Sequence, residues 1–328
     1  MSKTKVLFAY CHELERCVSI DEARTEFFSR KPNDRQRFTF SCSDHNCSVT
    51  ISGVNYHVKA EDGKKFKVAH FRSPHPHHQG CEWMQFTEET DQVRQPDETE
   101  ADYNERKAWQ KLNDFINCFD PCTDDEDPEQ KKSGQLTARS QVNNPVKGDD
   151  LSSDRALKWS RYTRTNQLQR LVDTWQEAKE TLTYDEFRAL RLRVKNYGTV
   201  YFYEYITHIQ KGLTNQYAGV IFGGGSLVKR YGRGFLIHFF DKNDDKPIRL
   251  YIDKNLMDKG RFGHYVEEIL ATENVRYFRI FLLNPDISER KDRAGKPVIN
   301  LEISSLRQLA IYYELSSSER DKSSLAIT

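Results

Sequence analysis

The sequence predicts an α+β chain of more than one domain, with a β-rich N-terminal unit, a central helical hairpin and a C-terminal β-barrel. Three observations lead there. Short runs alternate apolar and polar with period two toward both ends, as in Ile248, Leu250 and Ile252 against Arg249, Tyr251 and Asp253. Cysteines and histidines cluster between Cys42 and Cys81. Between the two ends, Leu157, Leu168, Leu171, Val172, Trp175 and Leu182 fall on one stripe of a long helix. At 328 residues the chain exceeds the ~100–200 residues of a usual single core. The segments this implies are a β-rich domain over 1–97, an amphipathic helix over 98–119, an acidic linker over 120–153, a helical hairpin over 154–198, and a barrel with a lead-in and a polar tail over 199–328.

Charge sorts the segments further. The total nearly cancels, 50 Lys+Arg against 49 Asp+Glu, but 98–150 holds 13 acidic and 7 basic residues while 151–328 holds 29 basic and 22 acidic. A basic C-terminal half suits a polyanionic partner. No run of about 18 apolar residues is present, so no membrane helix is expected. The apolar run at the start is too short for a signal peptide, and a cytoplasmic location follows as the expectation. In that reducing setting, an odd count of seven cysteines, four of them clustered in two short pairs beside histidines, favours metal binding or free thiols over disulfides.

In the N-terminal unit, Val6–Cys11 and Cys17–Ile20 read as a hairpin, and Asp21 opens a short helix. Arg37–Cys42 and Cys47–Ser52 flank a tight polar turn, and Phe66–Phe71 is a further strand that runs into His75, His77, His78 and Cys81. Two cysteines four residues apart across a turn form a knuckle that directs two thiolates at one ion, and zinc takes four N or S ligands in a tetrahedron. The candidate ligands are Cys42, Cys47, Cys81, His70, His77 and His78, with the choice of histidine open. A closed structural zinc site is expected, because no general-base carboxylate sits at a telling spacing. Cys118 and Cys122 form a second pair, but no histidine accompanies them, and they read as structural thiols.

The run Ala9, Ile20-Asp21-Glu22-Ala23, Cys-x4-Cys, His70-Phe71 and Cys81 resembles the N-terminal zinc-finger-like module of competence protein CoiA-like proteins. The resemblance covers residues ~1–118 and includes the acidic helix that opens ETEADYNERK. In that family the second segment reads HF-x-H. Here Ser73 stands at the second histidine, and His77 or His78 is left to take its place. The family continues into a nuclease domain, which implies a search for paired carboxylates on adjacent strands holding Mg²⁺ beside a lysine. Pro285-Asp286 with Glu289-Arg290-Lys291 has the letters but reads as one loop, and Glu177-Ala178-Lys179 falls on a helix. The likeness is therefore limited to the first module, and no catalytic residues are assigned. Gly223-Gly224-Gly225-Ser226 lacks the GK[ST] of a phosphate loop and reads as a strand bend or bulge. His264 and Glu267 lack the second histidine of a zinc-protease motif.

In the hairpin segment, Thr183-Tyr184-Asp185-Glu186 is a capping box for a second helix reaching about Lys195. Thr199–Gln210 is a strand or an aromatic lead-in. From Tyr217 to Tyr313 the order is three strands (Ala218–Lys229, Gly234–Lys242, Ile248–Asp253), a helix marked by Phe262, Val266, Ile269 and Leu270, a strand (Val275–Leu283), a charged loop (Asn284–Lys296) and a last strand (Val298–Ile303). That order resembles an OB-fold, including the nucleic-acid-binding OB domains of replicative polymerase α subunits and of aminoacyl-tRNA synthetase anticodon modules. In such barrels the ligand crosses the second and third strands between two loops. Lys229, Arg230, Tyr231 and Arg233 fall in the first of those loops, and Arg290, Lys291, Arg293 and Lys296 in the other. His238, Phe240, Arg249 and Tyr251 lie on the strands between. Cations beside aromatic platforms suit single-stranded DNA or RNA. The resemblances together imply a bacterial DNA-transaction or mobile-element-defence setting. The competing expectation is an adaptor that docks partner proteins or a second copy; a third is a divergent nuclease.

Overall fold

The computed structural model describes residues 6–44, 46–59, 68–79, 81, 83, 94, 98–113, 116, 118–121, 164–165, 167–195, 197–213, 219–259, 262–292 and 294–316. It is a mixed α/β structure with three sheets. Almost all of the expected acidic linker, together with Cys122, Arg293 and the first residues of the expected hairpin helix, lies outside the described residues.

The first sheet has the order β2-β1-β3-β4-β5, from β1 (Phe8–Cys11), β2 (Arg16–Ser19), β3 (Phe40–Cys42), β4 (Thr50–Val54) and β5 (His70–Arg72). Helix α1 (Ile20–Ser29) follows β2 directly. It starts where it does because Ser19 accepts from the Glu22 N–H at 3.2 Å while the Glu22 carboxylate accepts from the Ser19 N–H at 2.6 Å, a reciprocal cap. Beneath the sheet Phe27, Phe38, Phe40 and Tyr56 pack edge to face and stacked, and the Tyr56 hydroxyl accepts from the Phe38 N–H at 2.6 Å.

The second sheet, β7-β6-β8-β9, joins β6 (Cys118–Phe119), β7 (Arg164–Thr165), β8 (Arg191–Val194) and β9 (Gly198–Tyr201). Two expectations change here. Helix α2 is Glu100–Gln110, and the chain reaches Phe119 as a strand. The hairpin's first helix is α3 (Leu168–Thr181), and its second, α4 (Tyr184–Ala189), has the expected Thr183–Glu186 capping box but stops before β8. The reason is period two: Leu192 and Val194 are buried while Arg191 and Arg193 are exposed, which suits a strand and no helix face.

The third sheet has eight strands in the order β15-β16-β13-β12-β11-β14-β17, with β10 (Ile206–His208) parallel to the start of β11. Between β9 and β11 the chain also forms two one-turn helices, α5 (Phe202–Tyr205) and α6 (Ile209–Gly212). β11 (Val220–Tyr231), β12 (Gly234–Asn243) and β13 (Lys246–Ile252) form an antiparallel meander. Its turns are built for tightness: Gly232 lies at φ +65°, and Asp244 and Asp245 lie at +49° and +60°, the left-handed pair of a two-residue hairpin loop. After α7 (Lys254–Lys259) and α8 (Gly263–Ala271), β14 (Val275–Leu283) returns beside β11 and β16 (Pro297–Glu302) runs parallel to β13. The expected charged loop contains a strand, β15 (Asp286–Lys291), paired with β16 along its length. A further strand that the sequence reading missed, β17 (Leu309–Leu315), lies on β14. With β17 at that position and β15 on β16, no pairing among the described residues closes the sheet, and the expected barrel gives way to an open sheet.

Register separates the two faces. Ile237, Leu250 and Leu301 stand side by side across three strands and are all fully buried, with α7 and α8 supplying Met257, Tyr265, Val266, Ile269 and Leu270 to the core. On the other face α3 covers one end: Trp175 packs on Phe222 and Phe281, and the Tyr312 hydroxyl donates to Asp173 at 2.6 Å. The β12–β13–β16 end of that face has no helix over it among the described residues. The first sheet is joined to this body through α1. Arg24 reaches the Tyr265 hydroxyl at 3.3 Å, Phe28 packs on Tyr265 at 4.7 Å, Arg35 makes a two-pronged ion pair with Glu268, and Asp21 pairs with Arg170 at 3.1 Å.

Candidate metal centre and candidate binding face

Cys42, Cys47, His77 and Cys81 are all buried, and their ligand atoms lie within 4.8 Å of one another, a group able to hold a metal ion. Two knuckles deliver them. In the first, Asp44 makes an Asx turn, its carboxylate accepting from the Asn46 N–H at 2.9 Å and its carbonyl from the Cys47 N–H at 2.9 Å. In the second, the Cys81 N–H donates to the His78 carbonyl at 2.9 Å. Cys42 Sγ stands 3.6 Å from Cys81 Sγ and 3.5 Å from His77 Nδ1, while Nδ1 is 3.5 Å from Cys47 Sγ and 3.3 Å from Cys81 Sγ. Trp83 closes the site, fully buried, with its indole N–H donating to Ser43 Oγ at 2.9 Å.

Burial pushes the Cys81 thiol up to about 11 and the Cys42 thiol higher still. At Cys47 burial acts the same way, but the backbone N–H groups of His78 and Val49 outweigh it and hold the thiol below its usual value. The His78 N–H reaches Cys47 Sγ at 3.4 Å. Burial lowers His77, with Asp44 opposing. Of the histidines the sequence left open, His77 joins the group. His70 lies on β5 with Nδ1 at 2.9 Å from the Val68 carbonyl, and His78 contributes its backbone N–H while its side chain is exposed. Among the described residues this is the one His, Cys, Asp or Glu group close enough to hold a metal.

The residues expected to touch nucleic acid divide by register. Ser226, His238, Arg249, Asn300 and Ser288 stand in one row across β11, β12, β13, β16 and β15. One step along, Lys229 opposes Leu236 and Leu236 opposes Tyr251. Tyr231 meets Tyr251 edge to face at 5.8 Å, and the Lys229 ammonium lies 5.2 Å from the Tyr231 ring centroid. On the other side of the row, Phe240 lies over Gly224, where a Cβ would come within 3.3 Å of its ring, and meets Tyr277 at 6.2 Å. Tyr231, Tyr251 and Phe240 are 45%, 50% and 59% exposed, so these large rings are displayed to solvent.

The other expected residues sit elsewhere. Arg230 opposes the core residue Phe235, which turns it to the opposite face. Arg233 is held by Asp258 at 2.5 Å and Glu267 at 3.1 Å, from α7 and α8. Arg290 is on the row's face but paired with Glu302 at 2.6 Å, and Lys291 alternates to the other face. Ser226, Asn300, Ser288 and Tyr277 were not picked out from the sequence. The alternation Ile287-Ser288-Glu289-Arg290 is too polar to stand out in the sequence as a strand. No protein-family model, no curated protein and no solved structure matches the chain.

Proposed function

We propose that this protein is a nucleic-acid-binding protein with a structural zinc unit, and that single-stranded DNA or RNA lies on the open face of β11, β12 and β13. The observation that carries this reading is one row holding His238 and Arg249, flanked by exposed Tyr231 and Tyr251 on one side and Phe240 on the other. An exposed ring offers a base a stacking surface worth about 1–3 kcal/mol without regard to sequence, and Lys229 and Arg249 supply the salt-dependent part. The face is that of the second and third strands of a three-stranded meander, the position an OB-like core uses.

The metal is assigned as zinc from the donor set and spacing. With Zn–S of about 2.3 Å and Zn–N of about 2.0–2.1 Å, a tetrahedron has edges of roughly 3.7 Å between sulfurs and roughly 3.5 Å from sulfur to nitrogen. The site offers 3.6 Å and 3.3–3.5 Å. Four protein ligands leave no open position, so zinc would brace the two knuckles and take no part in chemistry. Fluorescence anisotropy with single-stranded, double-stranded and RNA oligonucleotides at two salt concentrations tests the binding face. Lys229→Ala with Tyr251→Ala should weaken binding at least tenfold, since a base stack alone is worth about 1–3 kcal/mol, and should flatten the salt slope. Unchanged affinity in that double variant refutes the assignment.

A second reading, a protein-binding adaptor, has one observation in its favour. Arg188 lies over the rings of Tyr184 and Tyr203, 5.4 and 5.0 Å from their centroids, and Tyr184 is 71% exposed. Tyrosine and arginine are the residues that anchor protein interfaces. Sedimentation velocity tests it: a dimer that Tyr184→Ala with Arg188→Ala disperses would support this reading, and a monomer at all concentrations would remove self-association.

A further inference from the structure

Base stacking leaves one feature of the open face unexplained. Nε2 of His238, Nε of Arg249 and Oγ of Ser288 are shut away from solvent and have no hydrogen-bond partner. All three belong to the single row that runs across β12, β13, β16 and β15. Interior polar groups are ordinarily paired, so the unpaired atoms of Arg249 and its cross-strand partner His238 call for a ligand that pairs them. Ser288 stands two strands beyond Arg249, roughly 10 Å away and outside the reach of the same small group. Each can donate: the Arg249 Nε–H is a donor only, the Ser288 hydroxyl rotates, and the His238 tautomer can put its proton on Nε2. The acidic neighbour of Arg249 does not use it up. Asp292 stands 3.8 Å from Nη2, beyond hydrogen-bond length, and its other oxygen accepts from the Ala294 and Lys296 N–H groups at 2.9 Å each. A row of donors around a guanidinium matches a negatively charged group with oxygens in several directions.

We propose that the row seats a phosphate group on Arg249 and His238, which are paired positions of neighbouring strands. This rests on the nucleic-acid reading for the source of the phosphate, which is either a backbone phosphodiester or a terminal phosphomonoester. Seated there, the phosphate leaves the bases on both sides free to reach Tyr251 and Phe240, so the row fixes the path of the strand while the rings hold it.

The test uses the full chain with arginine Nε–H and histidine resonances followed by NMR. Inorganic phosphate should shift the Arg249 and His238 signals in the unaltered protein and leave the His238 signal unmoved in Arg249→Lys, which keeps the charge but loses the Nε donor. In the same variant, affinity for a single-stranded oligonucleotide should fall on the order of tenfold, with a smaller fall for His238→Ala. Equal affinity for 5′-hydroxyl and 5′-phosphate oligonucleotides assigns the seat to the backbone, and tighter binding of the 5′-phosphate assigns it to a terminus. If phosphate shifts neither signal and both variants bind as before, the seat is wrong even though the stacking face stands. If phosphate shifts both signals while no oligonucleotide binds, the seat stands and the nucleic-acid reading falls. Should Arg249→Lys fail to fold, His238→Ala carries the same comparison, read on the Arg249 signal.

Discussion

Replacement of Cys42 by serine should remove the metal and with it the N-terminal sheet. Cys42 helps to tie the first knuckle to the second, lying 3.6 Å from Cys81 and 3.5 Å from His77. The strands beside the site are short, three residues in β3 and three in β5, and offer few ladder hydrogen bonds of their own. Structural zinc binds with apparent free energies of about 10–16 kcal/mol at neutral pH in small zinc units, as large as the whole stability of a typical domain at about 5–15 kcal/mol. The expected result is therefore loss of the folded unit and not a modest softening. The assay is elemental analysis together with tryptophan emission in the presence of a chelator. Trp83 is fully buried two residues from Cys81 and bonded to Ser43 beside Cys42, so opening the site exposes it and shifts its emission to the red. Acid acts in the same direction, because the thiols raised by burial, Cys42 and Cys81, must lose protons to bind, and affinity falls as pH falls. Protein that purifies without stoichiometric zinc, with emission unchanged by chelator, refutes the site.

Two further outcomes follow from buried groups in the same unit. Arg35→Ala should cost about 1–3 kcal/mol in urea unfolding, the range for leaving part-buried hydrogen-bonding groups without their partner. Arg35 is 8% exposed and also donates to the Arg30 and Phe28 carbonyls, while Glu268 keeps Lys59 at 4.0 Å. His57 is held below the usual histidine value by burial, then by the charges of Arg37 and Arg24. Because its folded value is the lower one, its contribution is intact above the ordinary histidine value of about 6.5 and is lost as pH falls toward the folded value. His57→Phe, which keeps a ring beside Tyr56 and Phe27, should flatten that part of the acid limb in unfolding measured between pH 7 and pH 5; an unchanged limb would count against it.

Local signals carried most of the elements. The reciprocal cap at Thr183 and Glu186, the alternation of Ile248 to Ile252 and the x4 spacing of Cys42 and Cys47 each depend on residues within one or two turns of each other, and each is seen as expected. What failed was set by distant partners. β15 is a strand because β16 offers it six paired positions, though its own residues are mostly charged. β17 takes the edge of β14, and that leaves the sheet open where a barrel was expected. The choice of His77 over His70 depends on where β5 ends relative to the first knuckle, a matter of tertiary geometry. Arg230 and Arg233 read as one basic rim with Lys229, but the bulge between Leu227 and Lys229 and the acids of α7 and α8 divide the three.

The placement of α1 explains why a metal unit belongs beside such a sheet. Helices α3 and α8 both pack against β17, α3 bringing Asp173 to Tyr312 from the side that carries the open face. α1 grips each of them, through Asp21 to Arg170 of α3 and through Arg24 and Phe28 to Tyr265 of α8. An uncovered edge strand invites pairing with another chain, and a helix laid across it blocks that. By joining α3 to α8 around β17, α1 holds the helices on this edge of the sheet. The N-terminal sheet that positions α1 is in turn pinned by the four metal ligands, none of which lies on the open face. Under the proposed function, a metal held there would act on binding at a distance, by keeping α3 over the Phe222 and Phe281 end so that the exposed surface is confined to the row of His238 and Arg249 and the rings beside it.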